Sequence, residues 1–470
     1  MEFDKIHYCV INADMVYYAP IDTKKENVKM KKLLTVVFAM SLWSAFAAGF
    51  GIYEGSARGN AVGGALVGEA DDATAVYYNP ANIAFSTNVQ VAVGATLIHP
   101  FCDVEVDHVP QNRMDPGWFT VPTVYFTVPL PADFTFGWGN FTEYGLGSHY
   151  NPGWSLAADT QQTTIRQVTL NPNIAYKFTD WLSASLGIRE SWIQFENYKQ
   201  PNSGETFWYS NSALPGGGMY MQSYPDAYHL RTHLKGEDWA TGWNGAINIK
   251  ATERLSLGLV YRSRIKHKIR GDFTMDGRVN TPAGTLSAPA VAASQGYSAT
   301  SHASAWLTLP QSVTFGANYK VTDRYRVGSS ITWTEWSSVN TIQFRLPQGP
   351  GGGYPLKLSW RNTLRVGFGM EYDLLDWLTV RGGYTFDEDP TSRKHSTTML
   401  PCGDRHIIGS GLGFKLADNL YLDLGYSFIR MNNEHYMVSY SRADGSVGQK
   451  RYSTRNGHSH LLSATLRYSF

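Results

Sequence analysis

Apolar and polar residues alternate along most of this chain. Leu182, Ala184, Leu186 and Ile188 fall on one face while Ser183, Ser185, Gly187 and Arg189 fall on the other. Leu255, Leu257, Leu259 and Tyr261 oppose Ser256, Gly258, Arg262 and Arg264, and Leu420, Leu422, Leu424, Tyr426 and Phe428 are in phase. At the C-terminus Leu462, Ala464, Leu466, Tyr468 and Phe470 share a face. A period of two marks β-strands with one apolar side. Sustained over about nine or more residues, it suits a tilted strand that crosses a bilayer.

Six tight polar turns interrupt the pattern: "PLPAD" at 129–133, "KFTDWL" from 177, "KATERL" from 250, "KVTDRY" from 320, "DLLDWL" from 373 and "KLADNL" from 415. Longer polar or Gly/Pro-rich connections lie between them, at 99–117, 145–161, 198–236, 271–303, 346–355, 388–403 and 437–454. Short turns alternating with long loops are the outer-membrane pattern, with the short turns periplasmic. Six turns and seven loops predict a 14-stranded antiparallel barrel over residues 86–470. An even number of strands closes the barrel and leaves no edge.

Composition agrees. Aromatics make up 14% of the chain and charged residues 17%, below the roughly 25% of an average soluble domain. No apolar run long enough for a membrane-spanning helix follows the first 50 residues. The net charge of +1 gives no bulk attraction to nucleic acid. "MKKLLTVVFAMSLWSAFAAGF" has the basic start, apolar stretch and A-x-A site of a secretory signal. Residues 1–47 are therefore expected to be leader and signal, with Met30 as the true start and Ala48 as the mature N-terminus. Cys9 would leave with the leader, and whether Cys102 and Cys402 pair is open.

Residues 48–85 lack the two-residue period and are rich in Gly and Ala ("SARGNAVGGALVGEADDATA"). Small residues allow close backbone packing, so this piece is expected to form a partly helical hatch inside the barrel. Asn79 and Pro80 would open its last helix, Asn79 as the cap and Pro80 at the first helical position.

The chain resembles the FadL family of outer-membrane long-chain fatty-acid transporters over essentially its whole mature length. The resemblance lies in "SARGNAVGGALVGEADDATAVYYNPA", "LKGEDWATGWNGAINI" with "LGLVYRSRIKHKIRG", "ITWTEWS", and "WRNTLRVGFGMEYDLLDWLTVRGGYTFDEDP…LPCGDRHIIGSGLGF". It implies a 14-stranded barrel with an N-terminal hatch in the outer membrane of a Gram-negative bacterium. It also implies capture of a hydrophobic ligand at the third and fourth loops and sideways release through a kinked third strand. The third loop, 198–236, departs from the family pattern. The expected function is passive uptake of long-chain fatty acids or similar molecules. Neutral aromatic hydrocarbons are the alternative substrate, and a non-specific porin is the alternative class.

For a carboxylate head group the candidates are the inward cations Arg189, Arg262, Arg264, Lys266, Arg361 and Arg365, with Lys357, because a guanidinium matches a carboxylate bidentately. The bland reading is that they pair with Glu371, Asp387, Asp423 and the hatch acids Glu54, Glu69, Asp71 and Asp72. The basic bias favours a fatty acid over an uncharged ligand. Phe50 is expected to wall the lumen. Phe141, Tyr144, Gly145 and Gly147, after Gly137 and Gly139, would form the lateral gate, since Gly inside a strand marks a bulge or bend. His458 and His460 share a face at metal-compatible spacing, but a pair without further ligands is weak. His149, His302 and His395 stand in loops without a nucleophile system, so no enzyme is expected, and no cofactor. Remaining expected partners are outer-membrane lipid and, through Phe470, the barrel-assembly machinery. The protein is expected to be a monomer.

Overall fold

A computed structural model of the chain describes residues 7–12, 15–20 and 49–470, apart from 107–108, 115–116, 152–153, 155–156, 158–159, 201–204, 211–218, 225–227, 282–283, 393–394 and 442–446. The signal, its cleavage site and Met30 lie outside the described residues. His7–Asn12 pairs with Met15–Pro20 as an antiparallel hairpin.

The wall is a closed antiparallel barrel of fourteen strands, several of them interrupted. In order they are β1 (Gln90–Val106), β2 (Val109–Arg113 and Phe119–Pro129), β3 (Phe134–Phe141 and Leu146–His149) and β4 (Gln162–Lys177). Then come β5 (Leu182–Lys199), β6 (Tyr228–Lys250), β7 (Leu255–Arg262 and Ile265–Thr281), β8 (Thr300–Leu309 and Ser312–Lys320) and β9 (Tyr325–Thr334 and Thr341–Arg345). The last are β10 (Gly353–Lys357 and Thr363–Leu375), β11 (Leu378–Asp387), β12 (Arg405–Ala417), β13 (Leu420–Met431 and Glu434–Ser441) and β14 (Val447–Ser469). β14 pairs with β1, which closes the ring.

Alternation sets the two faces. Leu186, Ile188, Phe368, Ile408 and Leu462 point outward and are exposed, whereas Ser183, Arg189, Thr385, Asp423 and Thr465 point inward and are buried. The six short turns fall where predicted. The long connections differ, because the strands run on past the membrane. β6 and β14 each have 23 residues. The connection expected at 437–454 is mostly a hairpin, Glu434–Ser441 against Val447–Thr454. That expected at 198–236 holds the ends of β5 and β6 and a hairpin, Glu205–Ser210 with Met219–Tyr224. In 271–303, β7 continues to Thr281, pairs with Gly284–Ser287, and is followed by a helix, Ala288–Ser294.

Residues 49–85, ahead of β1, fill the bore. The short helix α1 (Ala57–Ala61) is capped by Ser56, whose hydroxyl accepts from the Gly59 amide. Helix α2 (Ala75–Tyr78) leads to a 3₁₀ turn, Pro80–Phe85, capped by Asn79. Asn79 accepts from the Ala81 amide and donates its own amide to the carbonyls of Val67 and of Ile247 in β6. Further hydrogen bonds reach strands all round the ring: Ala57 to Thr465, Thr385 to Gly63, Gly68 to Asn318, Asn248 to Gly68, and Ser183 to Ala81. At Gly137 in β3 the approach is so close that an added Cβ would lie 2.5 Å from Ile83 Cδ1.

Candidate functional site

β3 breaks between Phe141 and Leu146. Against β4, Phe141 pairs with Thr169 and Leu146 with Ile165, so residues 142–145 oppose only 166–168. One residue too many makes a bulge and turns the strand. The freed amides are not left bare: the Gln167 side chain accepts from the Glu143 N–H at 2.9 Å and from the Tyr144 N–H. The N-terminal segment takes over as strand partner. Ile52 N–H donates to Glu143 C=O at 2.7 Å, and Gly145 N–H to Phe50 C=O at 2.8 Å.

This diversion opens a seam in the wall. β2 and β3 are laddered up to Val124 and Asn140 and, among the described residues, meet again only at the bridge Met114–Tyr150. Among the described residues, Phe119–Thr123 pair with β1 alone.

Above the bulge lies an apolar cavity of about 730 Å³. Phe50, Leu146, Phe195, Ile269, Phe344 and Trp360 are among the residues that line it. Phe50 forms its floor inside an aromatic cage, with ring centroids 5.0 Å from Trp336, 5.6 Å from Trp360 and 5.7 Å from Tyr144. Trp336 and Trp360 come from the breaks in β9 and β10, where neither strand nor helix periodicity flags them. Below the floor a second cavity of about 670 Å³ has Tyr53, Glu143, Tyr144, Arg262 and Arg365 on its walls. The 50–53 segment and the bulge thus form the partition between an apolar chamber and a polar one.

The candidate cations divide sharply. Arg189 is buried, bonded to Glu143 and to the Ser263 carbonyl. Arg262 meets Glu143 and the Tyr77 carbonyl. Arg365 lies over the Tyr53 ring at 4.4 Å, 3.9 Å from Asp387, and its Nε has no hydrogen-bond partner. Arg264 and Lys266 do not enter the lumen. β6 pairs Asn244 with Arg262 but Glu237 with Arg270, a slip of one residue in β7 that reverses the faces beyond Arg262. Arg264 therefore faces outward and pairs with Glu335, and Lys266 is exposed. Arg361, in the break of β10, and Lys357, opposite in phase to the cavity residues Leu356 and Leu358, are exposed as well.

The acids lie at the lower end. Arg58 on α1 forks onto Glu371 at 2.9 and 2.8 Å and also reaches Asp71 and Asp72. Arg467 joins Asp72 to Asp423, and Arg381 joins Glu371 to Asp423. Glu54 lies beside the Tyr53 amide, and Glu69 pairs with Lys320. Phe141 packs edge-on against Tyr77. Cys102 and Cys402 are both buried free thiols.

Comparison with known proteins places this architecture. The family model described as "Outer membrane protein transport protein (OMPP1/FadL/TodX)" matches residues 38–470. Outer membrane protein P1 of Haemophilus influenzae is 25% identical over 94% of this chain and 99% of its own length. The long-chain fatty acid transport protein of Escherichia coli K12 is 24% identical, over 85% of this chain and 91% of its own. Among solved structures, a Pseudomonas aeruginosa FadL homologue superimposes with a TM-score of 0.74 at 20% identity, covering 90% of this chain and 99% of that one. The toluene transporter TodX of P. putida gives 0.63 at 16% identity, covering 88% and 98%.

Proposed function

The chain belongs to the OMPP1/FadL/TodX family of outer-membrane transport proteins, and from that premise we propose that it is a passive uptake channel for small hydrophobic molecules. Ligand enters from the long-loop side and settles in the 730 Å³ apolar chamber. It leaves sideways through the seam between β2 and β3 while the hatch, residues 48–85, keeps the axial route closed. The single observation behind this reading is the partition: the Phe50–Ile52 segment is at once the floor of the apolar chamber and the strand partner of the bulge. Moving the floor to admit a ligand must also disturb the strand that borders the seam.

For an amphipathic ligand such as a fatty acid, the tail fills the upper chamber. The head group meets Arg262 and Arg365 only after the Phe50–Tyr144 contact has parted. A second reading has a specific observation in its favour. Among the described residues no charged side chain reaches into the upper chamber, since Lys235 contributes to its lining from an outward-facing, exposed position. A neutral hydrocarbon, the cargo named for the toluene transporter among the structural neighbours, would fit there unaided. Outer-membrane lipid receives the released ligand, the exposed C-terminal Phe470 is the signal for barrel assembly, and one chain suffices as a monomer.

Mass spectrometry of small molecules co-extracted with the purified protein, followed by titration with palmitate and with toluene, tests the reading. Saturable binding of palmitate supports the amphipathic ligand, and binding of toluene alone supports the hydrocarbon. Binding of neither overturns the assignment of the chamber.

A further inference from the structure

The outward face of the barrel carries a cluster that uptake does not use. Two neighbouring cross-strand rows run through β11, β12, β13, β14 and β1. In the first, Phe386, His406, Arg430, His458 and Phe101 are successive register partners. In the second the partners are Tyr384, Ile408, Phe428, His460 and His99, and the His99 ring stacks at 4.4 Å on Trp118, in the break of β2. Arg430 therefore has a histidine on each side. With strands spaced about 4.8 Å apart, His406 and His458 are on the order of 10 Å from each other with the guanidinium between them.

Each ring is held from one nitrogen. His406 Nδ1 lies 2.7 Å from Tyr384 Oη, His460 Nδ1 2.9 Å from Tyr426 Oη, and His458 Nδ1 2.6 Å from the Asn456 carbonyl. The last contact requires His458 to carry its proton on Nδ1. Its Nε2 can then donate outward only when the ring is charged.

Arg430 is exposed and has no ion-pair or hydrogen-bond partner among the described residues. The nearby acids are occupied. Asp404, just ahead of β12, accepts from the Asp389 amide, Glu388, just past β11, accepts from the Leu364 amide, and Glu105 of β1 pairs with Arg455 of β14. Arg430 is therefore the fixed positive charge at the centre of the two rows.

Height in the membrane suggests the ligand. Tyr468, Leu466 and Leu462 of β14 face outward below the cluster. Between Tyr468 and His458 the strand climbs about 25 Å at ~3.3 Å per residue and a ~40° tilt, the height of the apolar band of such barrels. The His–Arg–His row thus stands at the outer edge of that band, where headgroups begin, ringed by aromatic side chains that suit an interface.

We propose that Arg430, flanked by His406 and His458, is a docking site for the phosphate of an outer-leaflet glycolipid, with His460, His99 and the surrounding aromatics seating the adjoining sugar and upper acyl chain. A guanidinium matches a phosphate bidentately, and a protonated imidazole on either side adds a donor.

Native mass spectrometry of the detergent-purified full chain would count bound lipid A in its bisphosphorylated and dephosphorylated forms. The phosphorylated form is expected to bind at least tenfold more tightly. Arg430→Gln, an exposed position outside the lumen, is expected to lose about 10- to 100-fold, the worth of a charge-assisted hydrogen bond. The double variant His406→Gln/His458→Gln is expected to weaken binding less than Arg430→Gln while keeping heat-modifiable barrel mobility on gels. Equal binding of the two lipid forms, or unchanged affinity in Arg430→Gln, overturns the site. Full competition by millimolar inorganic phosphate would make it a site for free anions and overturn the lipid assignment.

Discussion

The amide of Gly145 donates to the carbonyl of Phe50 at 2.8 Å, joining the β3 bulge to the residue that floors the apolar chamber. The Phe50 ring is worth more than its area. Its three aromatic neighbours each add about 0.5–1.5 kcal/mol when well placed. Phe50→Ala is therefore expected to empty the cage, weaken ligand binding about tenfold or more, and loosen the bulge. Trp336 and Trp360, 5.0 and 5.6 Å from Phe50, make intrinsic fluorescence the natural measurement. Ligand-induced quenching with wild-type affinity in the variant would show that Phe50 is not the floor.

Arg189→Ala and Arg361→Ala should part company. Arg189 is a buried partner of Glu143, so its removal leaves that carboxylate with Arg262 and Thr169 and empties a buried site, at a cost of up to about 3–5 kcal/mol. Arg361 is exposed, and its loss should fall within about 0.5 kcal/mol. Thermal unfolding in detergent is expected to show a clear loss for the first and none for the second. Ligand affinity of folded Arg361→Ala should be unchanged, since that side chain does not reach the cavity.

Much of this was legible beforehand, and the failures have a common physical cause. Alternation assigned Arg189 and Arg262 to the lumen correctly because their strands are regular up to that point. It misplaced Arg264 and Lys266 because a single extra residue in β7 inverts every side chain beyond it, and no period-two pattern encodes such a slip. The hatch cap at Asn79 could be read locally, since the cap and its proline are neighbours in sequence. Gln167 could not, because its task is set by amides 23 and 24 residues away. Trp336 and Trp360 lie in breaks between strands, where an aromatic has no periodic neighbours to identify its face.

Arg58→Ala tests how the hatch is held. The fork from Arg58 to Glu371 ties α1 to β10, and both side chains are buried. Removing the guanidinium leaves Glu371 and Asp72 with fewer partners in a confined bore, a penalty of about 3–5 kcal/mol concentrated on one contact. The expected result is transient opening of the axial route, seen as conductance steps in planar bilayers that the wild type lacks. Arg58→Lys should be intermediate, since an ammonium cannot reproduce the two-pronged contact. Silent bilayers with both variants would mean that the remaining hydrogen bonds around the ring suffice.

The lateral route makes the sharpest demand on the structure. Axial transport would require a packed hatch, bonded to strands on all sides, to leave and return with every molecule. A sideways exit asks only that an existing seam widen. An apolar ligand kept from water throughout gains about 0.8 kcal/mol per methylene, so release into lipid needs no energy source. If the β2–β3 ladder continued past Val124 and Asn140, Pro122 and Thr142 would be the second pair beyond it. Cysteines placed at these two positions, joined by a short cleavable dithiol linker, would staple the seam shut. Cys102 and Cys402 are buried and should not compete for the reagent. Stapled cells are expected to bind ligand normally but to lose uptake, and reduction of the linker should restore it. Uptake at the same rate before and after reduction would return the ligand to the axial path.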